Sequence, residues 1–261
     1  MKISEFVTHI KRDNALLYWT GFLNFILFTV CLVLFFFDSR LVTGINPWIK
    51  PMKFALSVGI YLWTFAWVLR YLKSKKSIAF ISWGIAFCMV VENTIIALQA
   101  ARGVQSHYNI SSTLDSMLFS TMGTFIGINT AYLFYTFILF LFSETSLDKH
   151  MLLAWRAGLL LFLLGGVAGG MMIGNLSHTV GAPDGGAGIP FLNWSTLAGD
   201  LRVAHFITMH GLQVIPFVAF YISSRTKQPV VTTWAFVIFY SLACLRLHQV
   251  ALAGRSFLDF M

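Results

Sequence analysis

Residues 199–217 read "GDLRVAHFITMHGLQVIPF", an apolar run that carries His205, His210 and Gln213 inside it and Asp200 and Arg202 at its start. If this run crosses a membrane, two imidazoles and an amide lie at depths where polar groups are expensive and are retained for packing or for function. The rest of the chain favours that reading. Of 261 residues, 57% are hydrophobic, 16% aromatic and only 11% charged, with a mean hydropathy of +0.76. A soluble domain of this length does not have such a composition, so the chain reads as a polytopic membrane protein.

A helix needs about 20 apolar residues to cross a hydrocarbon core about 30 Å thick. Seven runs qualify: 15–37, 54–72, 78–101, 117–142, 157–174, 202–223 and 230–253. The first run is too long for a secretory signal and ends in "FFFDSR" without a small-residue cleavage site, so it reads as retained. No linker or internal repeat interrupts the chain. The expected fold is all-α, a seven-helix transmembrane bundle forming a single domain over residues 1–261.

The 18 Lys+Arg outnumber the 10 Asp+Glu, giving a pI near 9.6. No basic run is longer than "KSKK", which argues against a nucleic-acid partner and for charge used in topology. Lys2, Lys11, Arg12, Arg70, Lys73, Lys75, Lys76, Lys149, Arg156, Arg225 and Lys227 gather on one side, and fewer basic residues on the other. The positive-inside rule then places the N-terminus in the cytoplasm and the C-terminus outside. Cys31, Cys88 and Cys244 lie in apolar runs without CxxC spacing and read as buried small residues.

On the outer side the loops are longer: "DSRLVTGINPWIKPMK", "GVQSHYNISSTLDS" and "HTVGAPDGGAGIPFLNWSTLAGD". Such loops usually cover a site. The plainer alternative makes "PDGGAG" a flexible turn, Trp48 and Trp194 interface anchors, and His107 and His178 ordinary loop residues.

At about 100° per residue, Glu92 and Gln99 fall on one face of the third run, and Arg202, Met209 and Gln213 on one face of the sixth, flanked by His205 and His210. Arg246, His248 and Gln249 come late in the seventh run, and Arg102 late in the third. All these groups share the outer half. Glu92, the only acid inside an expected span, should face the interior and find a partner near His205, His210 and His248.

Imidazole and carboxylate suit a transition metal, Zn, Fe or Cu, so Glu92, His205, His210 and His248 form a candidate metal set, with Glu92 and His210 as the candidate catalytic pair. Arg102, Arg202, Arg246, Gln99, Gln213 and Gln249 are candidates for holding an anionic substrate or a lipid headgroup, with Lys50 and Lys53 beside them. Against the metal reading, His205 and His210 are five apart, about 140° around a helix, unless Pro216 distorts it. Haem is the runner-up cofactor, through His210 and His248. No histidine lies in the cytoplasmic half of an expected span, which disfavours electron transfer across the bilayer. Ser120, Thr124 and Asn129 read as packing polar groups, and "GGVAGGMMIG" (165–174), with small residues four apart, as close helix packing.

The segments "NPWIKPMKFALS", "QAARGVQSHYN" and "GDLRVAHFITMHGLQVIP" resemble those of an uncharacterised family of bacterial integral membrane proteins. The resemblance implies a bacterial inner membrane and transfers no catalytic residue. HExxH, GxSxG and P-loop patterns are absent from the sequence. The readings left are a metal- or cofactor-dependent enzyme, an oxidoreductase or hydrolase acting on a membrane-associated or anionic substrate; a transporter or proton-coupled permease using the same residues; and a protein binding a single b-type haem.

Overall fold

The computed structural model describes residues 3–185 and 188–260. Among them are eight α-helices, α1 (Ile3–Asp13), α2 (Ala15–Phe37), α3 (Ile49–Leu69), α4 (Lys75–Arg102), α5 (Thr113–Phe142), α6 (Lys149–Asn175), α7 (Leu201–Ser223) and α8 (Pro229–Leu252). Two short strands, β1 (Thr179–Val180) and β2 (Gly199–Asp200), pair antiparallel in the long loop before α7. Seven helices, α2 to α8, are long and apolar enough to cross a membrane.

The helix ends follow from their capping residues. The Asn14 side chain accepts from Leu17 N at 3.1 Å and starts α2, and Ser74 does the same for α4 through Ser77 N at 3.2 Å. Gly103, at φ +72°, ends α4 in the left-handed conformation that glycine adopts without steric cost. Pro229 opens α8, where its missing N–H is not needed.

Several ends differ from those expected. Polar residues belong to the helices although they dilute the apolar run: α3 begins at Ile49 and takes in Lys50, Pro51 and Lys53, α5 begins at Thr113 and takes in Asp115, and α6 begins at Lys149 and takes in His150 and Arg156. Glu92 is therefore not the only acid in a helix of spanning length, and His150 lies at the start of one. The additional helix α1 is too short to cross; its Phe6 packs edge-on against Trp67, with ring centroids 5.7 Å apart.

The chain resolves into two compact units, Met1–Tyr132 and Leu133–Met261, with α5 running from the first into the second. In the first unit the interior is formed by α3 and α4, whose spanning windows are 61% and 56% buried. Gly21 and Gly59 let α2 and α3 approach, because Trp63 and Phe25 occupy the space that a Cβ would need. The Trp63 indole N–H donates to Tyr18 O at 3.0 Å. Inside the same unit Asn93 donates to Asn24, and Asn14 donates to Ser82 Oγ at 2.7 Å, polar pairs that tie α4 to the N-terminal part of the chain.

In the second unit α6 and α7 pack backbone to backbone. A Cβ on Gly158 would lie 3.0 Å from Leu212 Cα, and one on Gly165 would lie 2.8 Å from Met209 Cγ. Gly169 leaves room for the His205 ring. The small-residue reading thus holds for Gly165 and Gly169, whereas Gly166, Gly170 and Gly174 have nothing within 4 Å of a would-be Cβ. Tyr240 of α8 donates its hydroxyl to Ile207 O at 2.5 Å, and Arg156 donates to the carbonyls of Phe140 and Leu141 at the end of α5. All three cysteines are buried free thiols.

Candidate functional site

α4 carries the densest series of buried polar side chains in the first unit: Ser82, Glu92, Asn93 and Gln99 are each at most 5% exposed. Glu92 and Gln99 share a face by their seven-residue spacing. Gln99 sits in a clamp around Asp115, near the start of α5. Gln99 Nε2 donates to Asp115 Oδ1 at 2.9 Å, Arg102 Nη1 to the same oxygen at 2.6 Å, and Ser112 Oγ to Oδ2 at 2.6 Å. This clamp closes the 103–112 loop by joining its two flanking helices.

The loop delivers His107 to Glu92. Its path is fixed by Gly103, by Tyr108 at φ +59°, and by Asn109, whose side chain accepts from Ser111. His107 Nδ1 lies 3.0 Å from the buried Ser106 hydroxyl, and Nε2 lies 3.8 Å from Glu92 Oε1. The other carboxyl oxygen of Glu92, Oε2, is buried without a hydrogen-bond partner. Phe54 packs on the His107 ring at 5.5 Å, and Lys50, one turn earlier on α3, is near enough for its charge to act on Glu92. Deeper in the same unit Tyr61 donates its hydroxyl to Asn129 Oδ1 at 3.1 Å.

A second built feature of this unit is the 38–48 loop. Arg40 donates to both carboxyl oxygens of Asp38, at 2.9 and 2.6 Å, and Trp48 adds its indole N–H at 2.8 Å. The Arg40 guanidinium holds the Asp38 carboxyl well below the usual carboxylate range, with Trp48 adding to the effect. Trp48, 9% exposed, is a pinned loop residue.

In the second unit, the histidines have different surroundings. His205 Nδ1 is 2.8 Å from Gly165 O across the α6–α7 contact. His210 Nδ1 is 2.8 Å from Phe206 O on its own helix, and its ring stacks on Phe206 at 3.9 Å. α7 is continuous through both, and Pro216 lies beyond them. Arg202 is bound to Asp200 at 2.6 Å and donates to Asn193 O, which ties the first turn of α7 to the loop before it. His248 and Gln213 are half-buried, and Arg246 and Gln249 are exposed on α8. Glu92 belongs to the first unit and the three candidate histidines to the second.

The long loop between α6 and α7 is also built rather than slack where it is described. Asp184 accepts from Ser177, from the His178 and Thr179 backbone N–H groups, and from the Thr179 hydroxyl, and it pairs with His178 Nδ1 at 2.7 Å. Burial raises the Asp184 carboxyl, but these bonds outweigh it and leave the group well below its ordinary value. Gly186 and Ala187 of the "PDGGAG" turn lie outside the described residues.

By sequence, His107 reads as an ordinary loop residue and Asp115 is not singled out. His107 carries no periodic signal because it comes from a loop. Asp115 sits ahead of the apolar run, although "SSTLD" has the Ser/Thr-to-acid spacing of a helix start. Among the described residues no group of three or more His, Cys, Asp and Glu side chains is placed to hold a metal ion. No known protein family, curated protein or solved structure matches the chain, so the functional reading stands on the geometry of these residues alone.

Proposed function

We propose that this chain is a multi-pass inner-membrane protein with its N-terminus in the cytoplasm, and that Glu92 and His107 are the acid–base pair of an enzyme acting on a membrane-associated, anionic substrate. The carrying observation is the Glu92 carboxyl, 2% exposed, with one oxygen unpartnered and the other facing an imidazole at 3.8 Å. A buried polar atom without a partner costs about 1–3 kcal/mol, and ionisable groups inside spanning helices are characteristically functional. At 3.8 Å the carboxyl and the imidazole are too far apart for a direct hydrogen bond, and a proton passes between them through one bridging atom, such as a polar atom of the substrate. Ser106 orients the ring, and Lys50 supplies a cation for the substrate's negative charge. The Lys/Arg asymmetry supports the orientation, which puts the Glu92 end of α4 towards the outer face.

The test combines spectroscopy with a genetic assay. In the purified protein, the infrared carboxyl band that titrates with pH should vanish in Glu92→Gln and shift in His107→Gln. Both variants should fail to complement a deletion strain while inserting at wild-type levels. A carboxyl band indifferent to His107→Gln, or full complementation by Glu92→Gln, overturns the proposal. Elemental analysis runs alongside: a stoichiometric transition metal lost in His210→Ala would move the chemistry to the second unit.

A further inference from the structure

The opposite end of α4 carries a different chemistry. Lys75 and Lys76 lie 17 and 16 residues before Glu92, roughly 25 Å away at about 1.5 Å per residue. Around them, α1, the end of α3 and the α3–α4 connection bring six cations to one end of the first unit: Lys11, Arg12, Arg70, Lys73, Lys75 and Lys76. Only Glu5 and Asp13 among the neighbouring residues 3–77 at this end oppose them. Asp13 bonds Arg12 at 3.0 Å and Arg70 at 3.3 Å, which fastens the end of α1 to the end of α3 and holds the cations together. Lys11, Lys73, Lys75 and Lys76 are all exposed.

Three further features place this collar at a membrane boundary. The Lys11 ammonium lies 5.1 Å from the Trp19 ring and 5.7 Å from the Tyr18 ring, and Arg70 lies 5.7 Å from the Tyr71 ring. Aromatic rings with polar edges beside basic groups are the residues that settle at headgroup level. α1 is amphipathic, with Phe6 and Ile10 on its packed face and Thr8, Lys11 and Arg12 exposed, and Asn14, at φ −150° and ψ 79°, breaks it from α2. Finally, the first turn of α4 holds two lysines and no acid, so their charge adds to the positive end of the helix dipole. Like charge gathered this way is relieved by an anionic partner.

We infer that the collar of Lys11, Arg12, Arg70, Lys73, Lys75 and Lys76 is a docking surface for the headgroups of anionic phospholipids in the leaflet it borders. Charge complementarity and continuity with the spanning helices select this occupant: the cations stand where those helices leave the apolar layer, within a Debye length of any headgroup phosphate there.

The experiment uses the full-length protein in nanodiscs of phosphatidylcholine alone or with phosphatidylglycerol, comparing wild type with the Lys73→Gln/Lys75→Gln/Lys76→Gln variant. Phosphatidylglycerol should raise the wild-type melting midpoint and co-purify with the protein. The triple variant should match wild type in phosphatidylcholine yet need on the order of 100-fold more anionic lipid for the same shift, from the usual contribution of each of three basic residues. An equal shift in the variant overturns the inference. So does the same shift produced in phosphatidylcholine by inorganic phosphate, which marks a simple anion site, or by a short oligonucleotide, which marks a polyanion surface. The variant leaves Glu92 and His107 untouched, so complementation by it separates failure here from failure of the acid–base reading.

Discussion

The two units each place ionisable side chains in helices of spanning length, but Glu92 in the first is held differently from His205 and His210 in the second. In the second unit His205 and His210 have their Nδ1 atoms committed to main-chain carbonyls, and Gly169 is shaped around the His205 ring. These bonds hold the two rings in place through Nδ1. In the first unit Glu92 has an oxygen left over, and a loop with its own internal bonds carries an imidazole towards the other one. Depth in an apolar run therefore does not separate structure from chemistry. What sets Glu92 apart from His205 and His210 is a buried oxygen without a partner on a side chain that an imidazole also approaches.

The contrast can be tested on stability first. His205→Ala removes a side chain that fills the α6–α7 contact and should cost about 2–4 kcal/mol in reversible denaturation, with wild-type activity in the fraction that folds. Gly169→Ala should be harmful in the wild type and close to neutral in the His205→Ala background, a coupling of about 0.5–3 kcal/mol by double-mutant cycle. If the two effects simply add, the ring is not what the glycine accommodates. Gly165→Leu should follow at about 1–3 kcal/mol through overpacking against Met209.

Glu92→Gln should change stability by less than about 1 kcal/mol, because the amide keeps the volume and removes a buried acid. A large loss would place Glu92 with the structural histidines and erase the distinction between the units. The smallest effect belongs to Gly166→Leu, next to Gly165 but with open space beyond it, at under about 0.5 kcal/mol.

A pH titration sharpens the comparison outside the spanning helices. Asp184 has its folded-state carboxyl held below the ordinary range. The stability it gives the 177–200 segment is fully present above the unfolded value of about 4 and is lost as pH falls towards the folded value. Limited proteolysis of that segment should therefore be flat from neutral pH to about 5 and rise only in stronger acid. Asp184→Asn should show faster cleavage at neutral pH and a flatter acid profile.

Most of the fold was legible because Leu, Phe and Val runs of spanning length have few other uses. The ends were less so: Lys50, Lys53, Asp115 and His150 lie in the first turns of helices whose apolar runs begin later, so hydropathy alone starts those helices too late. α1 was missed because it is only 11 residues long and its apolar face is one stripe. At the candidate site, the shared face of Glu92 and Gln99 follows from helix phase. The approach of His107 does not, because its position depends on a left-handed residue, a serine bond and a carboxylate clamp, none of which has a period. The histidines of residues 205–210 stand out by residue type, whereas the unpartnered oxygen of Glu92 shows only in three dimensions.

The Asp38–Trp48 loop has a consequence for how the chain is assembled. Its bonds from Arg40, Asn46 and Trp48 to Asp38 span at most ten residues, so the loop can close as soon as α2 and α3 have left the ribosome. One contact cannot: Arg40 Nη1 donates to Ala101 O, one of the last carbonyls of α4, 61 residues further along. At about 5–20 residues per second, that partner is made roughly 3–12 s later. The loop is thus closed by local bonds and tied to the end of α4 by one bond across 61 residues, so its own closure does not depend on α4 whereas its tie to α4 does.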